Sequence, residues 1–306
     1  MRVAIIGGTG FVGGYLVDAL IEAGHEPSVL VRVGSESKLR QPSKVRAVSG
    51  DLASPRGIRE VLEGSDAVIY NIGILREFAS KGVTFDTLQH RGVIRIIEAA
   101  KEAGISRFLL MSANGVKEPG TPYQVSKYRA ERALETSGLD FTIFRPSVIF
   151  GDPRGTIEFA TQLYRDMVVP PLPAVGFYTG SGASKGEVLM SPVFVEDVAK
   201  AFVLALEDES TIGQTYELGG PETLSWTDML ERVAEAGGKR KRILPMPIGM
   251  MNIAATLLDW LPPFPVTRDQ LTMLAEGNTV EPAALEQLIG RAPQAFTVES
   301  LSYLLR

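Results

Sequence analysis

Short apolar runs bounded by glycines and polar turns recur through the first half of the chain, and amphipathic stretches separate them. Val3 to Ile6 is the first run, and Pro27 to Val31, Val45 to Val48, Ala67 to Tyr70, Arg107 to Met111 and Phe141 to Phe144 follow it. Their length and apolar content predict strands buried on both faces. Between them, Leu16, Val17, Leu20 and Ile21 fall at helical spacing, ended by Gly24. Residues 86–103 do the same, with Ile94, Ile97 and Ala100 inward and Gly104 as the stop, and Ser126 to Ser137 reads as another helix. Strand alternating with helix predicts an α/β fold, a doubly wound parallel sheet of the Rossmann type with helices on both faces. Ligands of such sheets sit at the carboxyl ends of the strands.

From about residue 151 the rhythm loosens. Pro170 to Pro173 and Gly176 to Gly186 read as loops, Ser191 to Val195 as a short extended segment, and Glu196 to Leu206 as a helix with acids at its positive end. Gln214 to Gly219 predicts a strand. Ser225 to Ala236 predicts a helix, with Ser225 as cap and Asp228 in the capping-box position. The tail is helical and punctuated by proline. The expected organisation is a dinucleotide-binding core over 1–150 and a smaller, mixed substrate-binding region over 151–306, with 191–220 packing back on the core.

The first strand runs straight into Gly7-Gly8-Thr9-Gly10-Phe11-Val12-Gly13. Strand, glycine turn and helix form the context in which a G-x-x-G-x-x-G spacing carries meaning. The backbone must pivot at Gly7. A side chain at Gly10 would hold a ligand away, and one at Gly13 would push helix and strand apart. The free N–H groups at the helix start then face a pyrophosphate. A tight turn with no ligand is the plainer alternative, and the context favours a dinucleotide.

Composition removes other chemistries. With no cysteine, disulfides, thiolate metal sites and a Cys nucleophile are excluded, and with only His25 and His90 a three-His zinc site is impossible. No metal is expected. A net charge of −5 argues against a dedicated nucleic-acid binder. Val3 to Ile6 is too short for a signal core, and no apolar run reaches the length of a membrane span, so a cytoplasmic protein is the expectation.

A second constellation, Tyr123-Gln124-Val125-Ser126-Lys127, follows the fifth strand. On a helix the i, i+4 spacing puts Tyr123 and Lys127 on one face. A phenol with a pKa of ~10 is a poor acid or base at neutral pH. A neighbouring ammonium is expected to lower that value, and the same Lys would donate to ribose hydroxyls. Tyr123 would then exchange a proton with a substrate oxygen while a nicotinamide exchanges a hydride.

The Gly7-x-x-Gly10-x-x-Gly13 spacing and the Tyr123-x-x-x-Lys127 pair resemble the short-chain dehydrogenase/reductase superfamily. Gly50-Asp51-Leu52, Arg145 to Gly151, Val195 to Ala199 and Thr215 to Gly220 resemble its extended branch, the epimerase/dehydratase type. Within that branch, Met111 to Gly115 and Leu261 to Gln270 are similar to the Rossmann-type accessory subunit of respiratory complex I and its bacterial relatives. The resemblance covers essentially the whole chain. It implies that Asp51 and Leu52 lie near the adenine, and that Asn71, Ile72 and Gly73 line the ribose and phosphate side. It implies too that Pro146, Ser147 and Val148 border the nicotinamide. Thr9, Phe11, Val12 and Met111 belong to the same implied cofactor set. Each has a plainer role: Asp51 could cap a turn, Asn71 could be a turn residue and Pro146 could end a strand.

The second strand ends Val31-Arg32-Val33-Gly34-Ser35, without the carboxylate that would bind a ribose 2′-hydroxyl. Arg32 can grip a 2′-phosphate through two parallel donors, with Ser35 and Lys38 assisting. NADP(H) is therefore expected, with NAD(H) as the alternative.

Some positions depart from the extended pattern. The usual Ser or Thr past strand five falls on Asn114, with Ser112 slightly early, so either would orient the substrate oxygen. Gln89 takes the place where many relatives have a proton-relay Asn. His90 beside it, and His25 in a turn, are expected to be bystanders. The complex I relatives hold NADPH without turnover, and most lack a clean Tyr-x-x-x-Lys, which this chain keeps.

Residues 151–196 and 221–306 are expected to wall a substrate cleft, where Arg154, Tyr164, Arg165 and Lys185 could meet an anionic or sugar-nucleotide substrate. Ile243 to Pro265 is unusually apolar and follows the basic run Lys239 to Arg242. It reads as a core-packed helix or as a surface for a membrane interface or a respiratory partner. Three functions follow: a reductase, epimerase or dehydratase acting on a carbonyl, sugar-nucleotide or quinone-like small molecule; a non-catalytic NADPH-holding accessory or assembly protein; or a redox-sensing regulator. A monomer or a homodimer paired through helices 86–103 and 126–137 is the expected state.

Overall fold

The apolar runs of the first half become neighbours in one sheet. A computed structural model describes residues 1–180, 186–249 and 268–305. In chain order the elements begin with β1 (Arg2–Ile6), α1 (Phe11–Glu22), β2 (Glu26–Val31), β3 (Arg46–Ser49), α2 (Pro55–Leu62) and β4 (Ala67–Tyr70). There follow α3 (Arg91–Glu102), β5 (Arg107–Met111), α4 (Pro122–Glu135), β6 (Asp140–Pro146), β7 (Ile149–Phe150), α5 (Phe159–Leu163), β8 (Ala174–Thr179) and β9 (Gly186–Glu187). Then come β10 (Leu189–Met190), β11 (Val193–Phe194), α6 (Val195–Glu207), β12 (Gln214–Leu218), β13 (Leu224–Ser225), α7 (Trp226–Ala236), β14 (Ile243–Pro247), α8 (Arg268–Glu276) and α9 (Ala283–Ile289).

These elements fall into two units. The first comprises Met1–Pro146, Val195–Glu217 and Ala284–Arg291. Its seven-stranded sheet has the order β12-β6-β5-β4-β1-β2-β3. From β1 to β6 the neighbouring strands are parallel, with Ile6 beside both Leu30 and Tyr70. The chain moves outward from β1 through β2 to β3 and then returns to the other side of β1. The order therefore reverses between β1 and β4, and a crevice opens beyond their carboxyl ends.

Alternation along the strands gives the sheet two apolar faces. Ala4, Ile6, Val68, Tyr70 and Leu110 bury themselves with Ile58, Val61, Leu62, Val93, Ile96, Ile97, Ala130 and Leu134 of α2, α3 and α4. α1 packs against α6, with Leu16, Val17, Leu20 and Phe202 fully buried. Arg291 pairs with the buried Asp197 of α6.

Two helix expectations need correction. The helix at 126–137 begins at Pro122, because Thr121 and Gln124 form a capping box and Pro122 is preset for the first turn. The helix over 86–103 opens as a single π turn, Asp86–His90, before α3 proper. The extra residue shifts the inward face, so Val93, Ile96, Ile97 and Ala100 are buried and Ile94 is only half-buried.

The second unit comprises Ser147–Phe194, Leu218–Ala283 and Ala292–Arg306. It holds small mixed sheets. β7 pairs with β11 in parallel, β10 pairs with β13 antiparallel, and β8 pairs with β14 in parallel and β9 antiparallel. Of the stretch expected as a loop from Gly176 to Gly186, residues 176–179 and Gly186 are strand and 181–185 lie outside the described residues, and Ile243 opens a strand rather than a helix. The two partners lie far apart in sequence, so neither shows a local signal of the other. Phe150, Trp226, Met229, Leu230, Val233 and Phe296 centre this unit's core, and the Ser225–Asp228 capping box starts α7 as expected. Met250 to Pro265 of the apolar segment, Leu261 to Thr267 of the tail motif, and Lys185 lie outside the described residues.

Candidate functional site

The crevice between β1 and β4 is shaped by what its glycines exclude. Gly7 has φ +101°, and a Cβ there would stand 2.9 Å from the Asn71 carbonyl. At Gly13 a Cβ would overlap the Gly7 carbonyl oxygen and lie 2.7 Å from Gly8 Cα. Both positions are bare because the protein's own backbone fills the space. Gly10 differs: it is exposed, and the nearest protein atom to a Cβ there would be the Gly7 oxygen, at an ordinary 3.7 Å. Nothing among the described residues requires Gly10 to be bare, which fits a ligand approaching from solvent. No side chain caps α1, and its first turn carries no acid. The positive end formed by Gly10, Phe11 and Val12 is therefore open to an anion, with Thr9 half-buried beside it.

Asn71 fastens the loop. Its N–H donates to the Ile6 oxygen at 2.8 Å, and its side-chain amide reaches the Gly7 oxygen at 3.5 Å. Ile72 follows half-buried, and Gly73 is exposed. A Cβ on Gly73 would lie 3.9 Å from Lys127 Nζ. The glycine loop, the end of β4 and the second constellation thus meet along one crevice.

At the end of β2, Arg32 is exposed and has no carboxylate partner among the described residues. Ser35 is buried and turns back through its N–H to the Arg32 oxygen, 2.9 Å away. Lys38 is exposed in the same loop. After β3, the Asp51 carboxylate accepts the Ala53 N–H at 2.8 Å, the turn-capping role. The Leu52 side chain is buried in the core.

α4 carries Tyr123 and Lys127. Lys127 is 5% exposed, and Nζ donates to the Met111 oxygen at 3.0 Å. Nζ lies 5.9 Å from the centre of the Tyr123 ring, which packs edge-on against Phe85 at 5.7 Å. Burial depresses Lys127 to about 8, opposed by the charge of Glu131. The expected lowering of the Tyr123 phenol is not found. Burial pushes it above the usual tyrosine value, because desolvating a phenolate outweighs an ammonium at this separation.

Ser112 and Asn114 have different surroundings. Ser112, Met111, Lys127, Gln89, Ile72 and Tyr70 line one hollow. The Ser112 hydroxyl is buried and has no hydrogen-bond partner among the described residues, although its N–H is tied to the Phe144 oxygen at 2.7 Å. Such an orphan is costly unless something else satisfies it. Asn114 is half-buried, and its N–H is held by the Pro146 oxygen at 2.9 Å. Gln89 sits in the π turn, where its amide donates to the Ile74 oxygen at 2.7 Å and accepts from the Ser126 hydroxyl at 3.1 Å. A His90 ring nitrogen lies 2.9 Å from Asp86 and His25 Nε2 lies 3.2 Å from Glu207; neither histidine lines this hollow.

Sequence reasoning missed Glu131. It is fully buried one turn beyond Lys127 and accepts from Arg145 Nε at 3.0 Å and Nη2 at 2.6 Å. The i, i+4 spacing from Lys127 was the available signal.

In the second unit, Ser147 is engaged structurally, its hydroxyl donating to the Asn278 oxygen at 2.8 Å and its N–H to the Leu218 oxygen at 2.9 Å. Val148 accepts from the Val193 N–H and packs on this unit's core. Tyr164 donates to the Gly237 oxygen at 3.2 Å, Arg165 pairs with Asp166 at 2.9 Å, and the Arg154 N–H is held by Asp152 at 2.9 Å.

This chain is similar to known proteins. Residues 7–167 match the family described as NAD(P)H-binding. The chain is 29% identical over 293 residues to the mitochondrial NADH dehydrogenase [ubiquinone] 1 alpha subcomplex subunit 9 of Arabidopsis thaliana, covering 90% of this chain and 68% of that protein. It is 29% identical over 269 residues to the ceramide reductase of Caulobacter vibrioides, covering 84% and 77%. In fold it is similar to the Thermus thermophilus UDP-glucose 4-epimerase in complex with NAD, at a TM-score of 0.73 and 22% identity over 100% of this chain and 98% of that one. With the glycine crevice and the match over more than half its length, this chain belongs to the NAD(P)H-binding family.

Proposed function

We propose that this protein is an NADP(H)-dependent reductase of the extended type, acting on the carbonyl of a small molecule. The observation that carries the reading is the buried, partnerless Ser112 hydroxyl in one hollow with Lys127. A fold has no use for such a group, whereas a site that must hydrogen-bond a substrate oxygen does.

Bound NADP(H) would supply the hydride exchanged with the substrate carbon. Gly7, Gly10, Gly13 and the N–H groups of α1 would hold its pyrophosphate, and Asn71 keeps that loop in shape. Arg32, with Ser35 and Lys38, would grip a 2′-phosphate, which favours NADP(H) over NAD(H). Lys127 would hold the ribose. Ser112 would orient the substrate oxygen, with Asn114 as the other candidate. Tyr123 would give that oxygen a proton, and its raised value suits an acid that stays protonated until the oxygen develops charge.

The test is the bleaching of NADPH absorbance by a panel of ketones, aldehydes and quinones, with wild type set against Tyr123→Phe. A substrate-dependent rate that the variant loses supports the proposal. Tight NADPH binding with identical, negligible rates for both proteins supports a second reading: a non-catalytic protein that holds NADPH and docks a respiratory or assembly partner. The similarity to the Arabidopsis complex I subunit over 90% of this chain favours that alternative.

A further inference from the structure

The second unit carries an exposed apolar loop beside a basic run, remote in character from any dinucleotide chemistry. Between α5 and β8 the chain reads Val168-Val169-Pro170-Pro171-Leu172-Pro173. Leu172 is 71% exposed and Val169 46%, and Leu244 of β14 is 42% exposed. Pro171 and Pro245 are exposed as well. Prolines at 170, 171 and 173 preset φ, so Leu172 stands on a stiff loop with little conformational freedom left to lose on binding.

The basic run Lys239-Arg240-Lys241-Arg242 is stitched to this loop. Lys241 Nζ donates to the Val168 oxygen at 3.0 Å and also to the Pro170 oxygen. The Ala174 N–H donates to the Arg242 oxygen at 2.9 Å, and β14 continues in register beside β8. Lys239, Arg240 and Arg242 are exposed and have no carboxylate partner among the described residues. An unneutralised basic cluster beside an apolar loop stands out in a chain of net charge −5. Its charge is complementary to an anionic surface, and its stiff apolar centre suits shallow insertion among lipid headgroups.

We propose that this patch docks the protein on an anionic lipid surface, with Leu172 entering the interface and Lys239, Arg240 and Arg242 lying on the headgroups. The proposal is independent of the proposed reaction.

Flotation of the full chain with vesicles of phosphatidylcholine, alone or mixed with phosphatidylglycerol, tests it. The expected result is binding to the mixed vesicles only, lost between about 0.05 and 0.5 M salt. Leu172→Asp should weaken binding about tenfold or more, and so should Arg240→Gln with Arg242→Gln. Melting curves of the variants should match wild type, because the substituted side chains are exposed. Equal binding to both vesicle types, or variants that bind like wild type, would overturn the proposal. A dimer abolished by Leu172→Asp, without vesicle binding, would instead assign the patch to a second copy of the chain and overturn it too.

Discussion

The Lys127 ammonium donates to the carbonyl oxygen of Met111 across 3.0 Å, tying the second turn of α4 to the last residue of β5. The bond aims a buried cation at the crevice where the strand order reverses. Burial costs that cation part of its affinity for its proton, bringing it from 10.5 to about 8. The folded state therefore binds the proton less tightly than the unfolded chain. The penalty is complete below about pH 8, and stability rises between about pH 8 and 10.5, by on the order of 3 kcal/mol for this group alone. Thermal melts of wild type and Lys127→Met should converge or cross over that range. Parallel curves would refute a buried ammonium.

Ser112→Ala separates fold from function. Removing a hydroxyl that satisfies nothing should leave stability within about 0.5 kcal/mol or raise it. The same change should lower reductase turnover at least about tenfold. A marked drop in melting temperature would mean that the hydroxyl has a structural partner.

Gly10→Ala and Gly13→Ala should part company. At Gly10 a methyl meets only the Gly7 oxygen, at 3.7 Å, so the variant should fold and melt normally yet lose most of the melting shift induced by NADPH. At Gly13 the methyl collides with main chain, and a loss of ~2 kcal/mol or more is expected. Similar behaviour in the two variants would contradict the division between protein-filled and ligand-filled space.

Arg32→Ala tests the cofactor preference. The side chain is exposed and without a carboxylate partner among the described residues, so stability should not move. NADPH affinity should fall about tenfold or more while NADH affinity is spared. An equal loss for both nucleotides in a fluorescence titration would remove Arg32 from 2′-phosphate recognition.

Much of the first unit was legible in the sequence because its signals are local. A strand that buries both faces writes a continuous apolar run, and Ala67–Tyr70 and Arg107–Met111 were readable to the residue. A glycine that must pivot, or a Ser225–Asp228 cap, is decided within four residues. The start of α4 is written in Thr121-Pro122-Tyr123-Gln124, ahead of the helix's apolar residues.

The rest depended on neighbours distant in sequence. β8 became a strand because β14, more than sixty residues later, offered it a partner. That the Ser112 hydroxyl is buried without a partner among the described residues depends on every group packed around it. Glu131 gained its place behind Lys127 only when Arg145 came to meet it. The rise of the Tyr123 phenol, against the expected fall, has the same origin. Spacing along a helix specifies which charges are adjacent, whereas desolvation is a sum over every atom packed around a group, and only the completed tertiary structure supplies those atoms.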